Sequence, residues 1–225
     1  GNNNVAIGTN ANYNGTNSEA TYEGTTAVGH NAQARSLNST AIGRESIAGT
    51  AGSNDYFANA VAVGYKANAT GAYAVSIGEN SNATAFGGTA LGRMANSTSD
   101  NAVAINGTAA GFASVAMGIG SSSSGSSSIA IGNGASSTNQ SAIAIGSSAR
   151  AAGSESVAIG SNTNANGASN TAIGANACRF VTGSNKTCIG ANSGPASGSS
   201  LAVNNNNVMF VGDSTTTVYI PGNLI

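Results

Sequence analysis

The sequence predicts an all-β fold in which short strands stack as the coils of a parallel β-solenoid. The prediction rests on a regular short repeat, on alternation within each repeat, and on glycine at the end of each alternating segment. Alternation is typical of strands, because successive side chains of a strand point to opposite faces. Glycine supplies the positive φ or the close approach that a tight turn requires.

The repeat is clearest in a segment made of a β-branched residue, a small residue, an aliphatic residue and glycine. Residues 61–64 (Val-Ala-Val-Gly) and 157–160 (Val-Ala-Ile-Gly) are two of its copies. The closing glycine recurs about every 14 residues, as at Gly132, Gly146, Gly160 and Gly174, which predicts coils of that length. Two long spacings end at Gly29 and Gly64, a shortened one ends at Gly118, and an enlarged one ends at Gly190.

A second, alanine-rich segment lies between copies of the first, as at 149–153. It also alternates and also ends in glycine. Each repeat therefore predicts two strands and two turns, which make one coil of a solenoid.

We expect the large aliphatic residues of each repeat to point inward and the small residue between them to point outward. A narrow interior is then filled by large side chains from one strand and alanine from the other. The predicted inward residues are Val61, Val63, Ile129, Ile131, Val157, Ile159, Ala149 and Ala151. The outward column of small residues, which includes Ala158, suits contact with another copy of the chain, so we expect a homo-oligomer.

The composition argues against several classes of function. Charged residues make up 7% of the chain and the formal net charge is −1, so nucleic acid has no basic surface to bind. The single histidine, two cysteines and scattered carboxylates form no catalytic or metal-binding pattern, so we expect no enzyme, no cofactor and no metal. No apolar run approaches the roughly 20 residues of a membrane-spanning helix, and we expect no membrane contact in this segment.

Tandem segments such as 156–160 (Ser-Val-Ala-Ile-Gly) and 149–153 (Ala-Arg-Ala-Ala-Gly) resemble the head repeat of the YadA-like trimeric autotransporter adhesins. The resemblance covers about residues 5–204. It implies a left-handed parallel β-roll, a homotrimer around a common axis, and an extracellular position at a cell surface. The same repeat is found in tail fibres of phages and other viruses, which leaves a virion surface as the alternative location.

The function implied by this resemblance is that of a structural and adhesive segment of a trimeric surface fibre. Such a fibre attaches to a host cell, matrix or other surface through a receptor, either protein or glycan, that the sequence does not identify. The alternative is a shaft or receptor-binding segment of a phage or viral tail fibre. Ice binding is a third hypothesis, disfavoured because the expected outward residues are alanine and serine without a sustained threonine ladder.

The chain is predicted to divide into head repeats over residues 1–204 and a C-terminal junction over 205–225. In the junction, residues 208–211 and 217–220 are predicted to form a short β-hairpin around a Gly-Asp-Ser turn. This ending departs from the neck and coiled-coil stalk of the adhesins and resembles junctions in viral fibre proteins more closely, which keeps the viral alternative open.

The two long spacings of the repeat contain insertions at residues 16–24 and 49–57. Insertions in a solenoid project from one face, which is often the face that binds a partner. The candidate binding residues are Glu19, Tyr22, Glu23, Asp55, Tyr56 and Phe57. The competing interpretation is that these loops are merely tolerated at a corner of the coil.

Cys178 and Cys188 lie within the enlarged spacing that ends at Gly190, and both fall on positions predicted to point outward. A disulfide that closes the enlarged loop is expected in an oxidising compartment. Two free thiols, or a link between chains, are the alternatives.

Overall fold

The computed structural model describes residues 3–12, 23–50, 59–181, 183–195 and 207–213. The chain forms two compact units, Gly1–Ser127 and Ser128–Ile225. The regular elements of the described residues are β-strands of two kinds, long strands such as Val61–Val63 and short strands such as Asn68–Ala69. None of these residues belongs to a helix long and apolar enough to cross a membrane.

The first unit contains fifteen strands among its described residues, arranged in two parallel sheets. Its strands are β1 (Val5–Ile7), β2 (Thr26–Val28), β3 (Gln33–Ala34), β4 (Thr40–Ile42), β5 (Ile47–Ala48), β6 (Val61–Val63), β7 (Asn68–Ala69), β8 (Val75–Ile77), β9 (Asn82–Ala83), β10 (Thr89–Leu91), β11 (Asn96–Ser97), β12 (Val103–Ile105), β13 (Thr108–Ala109), β14 (Val115–Met117) and β15 (Ser122–Ser123). The long strands pair in the order β1-β2-β4-β6-β8-β10-β12-β14, and the short strands pair in chain order from β3 to β15. Each residue pairs with its equivalent one coil away, as Val61 pairs with Val75.

The second unit repeats this arrangement over its described residues. Its strands are β16 (Ile129–Ile131), β17 (Ser136–Ser137), β18 (Ile143–Ile145), β19 (Arg150–Ala151), β20 (Val157–Ile159), β21 (Asn164–Ala165), β22 (Thr171–Ile173), β23 (Thr187–Ile189) and β24 (Met209–Val211). The long strands pair in the order β16-β18-β20-β22-β23-β24, and the short strands in the order β17-β19-β21. The predicted parallel β-solenoid, with one long and one short strand in each regular coil, is therefore confirmed in both units.

The side chains of the long strands face the opposite way from the prediction. Away from the ends, the middle residue of each long strand is buried and its two neighbours are partly exposed; Ala158 is fully buried and Ile159 is 36% exposed. Ala149 and Ala151 do lie in the interior. The assignment of the large residues as inward is wrong for Val61, Val63, Ile129, Ile131, Val157 and Ile159.

The reason for this reversal is the narrow cross-section of so short a coil. A coil contributes four side chains to the interior, as Ala142, Ala144, Ala149 and Ala151 do. The two strands face each other so closely that alanine and serine fill most of the space, with threonine at Thr25 and Thr163, and the longer side chains of isoleucine and leucine do not fit. Alternation predicts that successive side chains of the long strand point to opposite faces. It does not predict which of them point inward, because both faces of the long strand are apolar.

The turn after most long strands begins with glycine for a steric reason, and Asn106 after β12 is the exception among the described residues. Gly64 has a φ of 133°, and a Cβ atom on it would lie 2.6 Å from the carbonyl oxygen of Gly78 in the next coil. Two residues later the chain enters the left-handed region, with a φ of 54° at Lys66 and 52° at Asn80. Asparagine is enriched in that region among residues other than glycine. The repeated glycine and the frequent asparagine therefore have separate causes at neighbouring positions.

The C-terminal described strand continues the parallel sheet. β24 pairs in parallel with β23, with Phe210 opposite Cys188. Residues 208–211, predicted as the first arm of a hairpin, thus supply one more strand of the stack beyond residue 204. The predicted second arm, 217–220, and the boundary at 204 lie outside the described residues. The strand was not recognised as a repeat because Phe210 stands where other long strands have a small residue.

Candidate interaction surfaces

The outer surface of the long-strand sheet is apolar in both units. The first and third residues of each described long strand, which together we call the aliphatic face of that unit, are valine, isoleucine, leucine, methionine or threonine. Ile42 is 40% exposed and Ile77 is 41% exposed in the first unit, and Ile173 is 40% exposed in the second. Large contiguous apolar surfaces on soluble proteins are typical of interaction sites, so the aliphatic face is a candidate contact surface.

The outer surface of the short-strand sheet is polar. Asn68, Asn82 and Asn96 lie in register on neighbouring strands and form the asparagine row. The Nδ2 atom of Asn68 donates to Oδ1 of Asn82, and Nδ2 of Asn82 donates to Oδ1 of Asn96, both at 2.8 Å. Two residues further along each strand, a threonine row runs beside it, formed by Thr70, Thr84 and Thr98.

These rows correct one assumption of the sequence analysis. Ice binding is disfavoured above on the expectation that the outward residues are alanine and serine, but alanine fills the interior. The outward residues in this part of the first unit are the asparagines of the short strands and the threonines that follow those strands.

Aromatic side chains gather at the turn that follows the short strands of the first unit. The carbonyl groups of Phe86 and Asp100 accept backbone hydrogen bonds of 2.8 and 2.9 Å from the next coil, which places Phe86, Asp100 and Phe112 in one column. Phe86 is 50% exposed and Phe112 is 54% exposed. The rings of Tyr73 and Phe86 meet edge to face, with centroids 5.5 Å apart and planes at 75°. We call Tyr73, Phe86, Asp100 and Phe112 the aromatic corner.

The turn that follows the long strands carries charged groups instead. Glu45 pairs with Arg44 at 3.0 Å and with Lys66 at 3.6 Å. Both cations lie over the ring of Tyr65, with Arg44 Cζ at 5.6 Å and Lys66 Nζ at 5.3 Å from its centroid. A hydrogen bond with Tyr65, assisted by charge interactions with Tyr65 and Glu45, raises the pKa of Lys66 above its ordinary value. These groups are largely solvated, and exposed ion pairs of this kind contribute little to stability.

The two cysteines are joined in a disulfide inside the second unit. Their Cα atoms are 5.6 Å apart, and both side chains are fully buried. The prediction that both cysteines point outward is wrong. Cys188 does occupy the position of the small residue, in register with Ala172, but that position faces inward. Cys178 has a φ of 56°, and this turn directs a residue of nominally outward phase into the interior.

Most of the predicted binding residues lie outside the described part of the chain, namely Glu19, Tyr22, Asp55, Tyr56 and Phe57. Glu23 is described and exposed. Its carbonyl oxygen accepts a hydrogen bond of 2.9 Å from the backbone N–H of Asn38, so Glu23 belongs to the same kind of turn as Phe86. Among the described residues, no group of three histidine, cysteine or carboxylate side chains is placed to hold a metal ion.

The aromatic corner was missed by the sequence analysis although a signal for it was present. Phe86 and Phe112 both follow the end of a short strand, after residues 82–83 and 108–109. The shortened spacing of the repeat between them obscured this common phase. Aligning the repeat on its short strands, instead of on the closing glycine, would have brought the two residues into one column.

Comparison with known proteins identifies the repeat. The family model of the YadA head domain repeat matches residues 23–46, 58–81, 83–105, 109–135, 137–163 and 151–177, more than half of the chain. Among solved structures, the chain is similar to the crystal structure of the collagen-binding domain of the Yersinia adhesin YadA. The identity is 22%, the match covers 96% of this chain and 84% of that one, and the TM-score is 0.29. Comparison with curated proteins gives no match. On the extent of the family match, together with the repeated long and short strands that it spans, the chain belongs to the family of YadA head domain repeats.

Proposed function

We propose that this chain is a structural and adhesive segment of a homotrimeric surface fibre, and that its copies pack together through the aliphatic face. The observation that carries the proposal is the aliphatic face itself. Successive long strands place uncharged, mostly aliphatic side chains at the same two outward positions. Burial of apolar surface is the main driving force for stable association of subunits.

A second copy of the chain is the occupant that fits this face best. Every regular coil presents two uncharged residues at the same positions of its long strand. When copies are aligned in parallel, each coil of one copy therefore faces the equivalent coil of the next. A cyclic assembly covers the face of every copy and leaves no unpaired surface. The column that includes Ala158, expected to meet the partner, is interior, so the contact moves to its neighbours Val157 and Ile159. Three copies is the number that the family resemblance implies.

The adhesive role follows from the family and from the surfaces that this packing leaves outside. The short-strand sheet and the turns stay accessible when the aliphatic face is covered, and they carry the polar rows and the aromatic corner. An extracellular fibre presents such surfaces repeatedly along its length, which suits attachment to a cell or matrix through a protein or glycan receptor. The related Yersinia structure is itself a collagen-binding domain.

Sedimentation equilibrium of the purified chain tests the assembly, and a trimer is the expected result. Ile131→Asp and Ile145→Asp place a charge on the aliphatic face and are expected to dissociate the trimer. Thr138→Asp places the same charge on an exposed residue after β17, at the other surface of the coil, and is expected to leave the trimer intact. A stable monomer at micromolar concentration, or a trimer that tolerates both isoleucine changes, would contradict the proposal. Beads coated with the trimer are expected to adhere to host-cell or matrix surfaces more than uncoated beads, and equal adherence contradicts the adhesive role.

A further inference from the structure

We propose that the aromatic corner, together with the adjoining asparagine and threonine rows, binds a neutral glycan chain. Phe86 and Phe112 stack on the C–H faces of sugar rings, and Asp100 and the polar rows bind sugar hydroxyl groups. The inference rests on the proposed function, since it names the class of receptor that the fibre holds.

The fold itself does not require phenylalanine at this turn. Neighbouring coils of the first unit have Ala72 and Ser126 at the same place in the column. Phe86 and Phe112 are each half exposed in the same corner as Tyr73, and a cluster of exposed aromatic side chains is typical of an interaction site. The two aromatic side chains are therefore better explained by binding than by packing.

Phe86 is held in place before any ligand arrives. Its backbone N–H donates to Oδ1 of Asp100 at 3.1 Å, in addition to the backbone bonds of the column. The edge of the Tyr73 ring packs against it. A site that is already ordered loses less conformational freedom when it binds, and this favours affinity.

The spacing within the column points to an extended glycan. Phe86 and Phe112 are two coils apart, which corresponds to about 9.6 Å at the usual separation of neighbouring strands. In an extended β-1,4-linked glycan, successive sugars are turned over, so every second sugar presents the same face. The repeat of such a disaccharide is close to the separation of the two phenylalanines. One sugar then stacks on Phe86, the third stacks on Phe112, and the sugar between them lies over Asp100.

The polar groups beside the corner match the rest of a sugar. Asn82 in β9 and Thr84 just after it precede Phe86 at alternate positions of the chain, so their amide and hydroxyl groups lie beside the phenylalanine in sequence. Amides and hydroxyls both donate and accept hydrogen bonds, as adjacent sugar hydroxyls do. Asp100 supplies the one charge among the residues of the corner and the two rows. A like charge on the ligand is disfavoured, which selects a neutral glycan over one that contains uronic or sialic acids.

Isothermal titration of the whole chain in its native assembly with cellohexaose, chitohexaose and the β-1,4-linked hexamannuronate tests the proposal. Binding of at least one neutral hexasaccharide is expected, with hexamannuronate weaker. Affinity is expected to rise steeply from the disaccharide to the trisaccharide, because three sugars are the shortest chain that reaches both phenylalanines. Phe86→Ser and Phe112→Ser are each expected to weaken binding about tenfold.

Met94→Ser is the matched control, because Met94 is 61% exposed at the turn that follows the long strands and its loss removes a similar apolar surface. It is expected to leave glycan affinity unchanged. The proposal is overturned if a properly assembled chain binds none of the neutral glycans at millimolar concentration, or if Met94→Ser weakens binding as much as the phenylalanine changes. It is also overturned if Phe86→Ser or Phe112→Ser dissociates the assembly, since the corner is then a contact between subunits. If the chain is a trimer but binds no glycan, only the glycan-binding inference is refuted. If the chain is a monomer that binds glycans, only the proposed assembly is refuted.

Discussion

The disulfide between Cys178 and Cys188 joins two fully buried side chains across the interior of the second unit. Over the regular coils the interior is filled mainly by alanine and serine, which make small contacts. In the enlarged coil, beyond β21, the last described short strand, the covalent link adds to the packing of Val181 in the same buried cluster. The bond closes a loop with a sequence separation of 10.

Loss of this disulfide is expected to destabilise the chain by roughly 2–3 kcal/mol, through the added freedom of the unfolded state. Intact-mass measurement after alkylation is expected to show two labelled thiols only after reduction. The double change Cys178→Ala with Cys188→Ala is expected to reproduce the effect of the reductant on urea unfolding, since Ala172 fills the position equivalent to Cys188. Labelling of both thiols without reduction would show that the bond does not form.

Overpacking the interior is expected to be costly even for an apolar side chain. Ala158→Leu should destabilise the chain by about 1–3 kcal/mol or prevent folding, because the facing strand has no room to retreat. Val157→Leu changes the adjacent, outward residue and should shift the free energy of unfolding by less than about 1 kcal/mol. Chemical denaturation of both variants provides the comparison. A larger effect at Val157 than at Ala158 would restore the inward assignment of the large residues.

Two neighbouring turn positions are expected to respond with opposite signs to substitution. Gly64→Ala introduces a Cβ atom 2.6 Å from the carbonyl oxygen of Gly78, in a backbone conformation that is nearly exclusive to glycine, and should cost about 3 kcal/mol. Lys66→Gly removes a side chain from the left-handed region and should stabilise the turn by up to about 1 kcal/mol. Thermal unfolding of the two variants measures both effects, and changes of the same sign would contradict this account.

The asparagine row is expected to stabilise the stack through its central member. Asn82→Ala removes one hydrogen bond to Asn68 and one to Asn96, and should cost about 1–2 kcal/mol. Asn96→Ala removes only the hydrogen bond between Asn82 and Asn96 and should cost about half as much. Thr84→Ala, at an exposed neighbour, serves as the control for lost strand preference and should be nearly neutral. Equal stability of Asn82→Ala and Thr84→Ala in urea would show that the ladder contributes nothing.

The sequence predicts the solenoid because glycine and the alternating segments recur at a nearly fixed spacing. Such a spacing allows equivalent residues of successive coils to pair in parallel. The phase could not be predicted in the same way. Val157, Ala158 and Ile159 are all apolar, and choosing between the two faces depends on the width of the coil, which no single repeat reveals. The burial of Ala149 and Ala151 was predicted correctly because it does not depend on which face of the long strand is inward. The facing short strand contributes alanine to the interior in both cases.

Local departures from the repeat were harder to predict than the repeat itself. Cys178 points inward because its backbone has a positive φ and leaves the strand conformation. Its place in the alternating pattern gives no sign of this. Phe210 takes the middle position of a long strand in the last described coil, where it is partly exposed, so a large residue is accommodated there. Phe86 and Phe112 come together through the column of turns, a relationship that becomes visible only after the short strands are aligned.

The column of turns has a consequence for how such a surface evolves. The step from Phe86 to Asp100 uses more of the chain than the step from Asp100 to Phe112, yet each step is one coil. Distance along the stack is therefore counted in whole coils and is insensitive to residues gained or lost at the opposite turn. Side chains in one column are therefore separated by whole multiples of the distance between neighbouring coils. When a coil is duplicated or deleted, their separation changes by one such distance, and the surface then matches a ligand of a different repeat length.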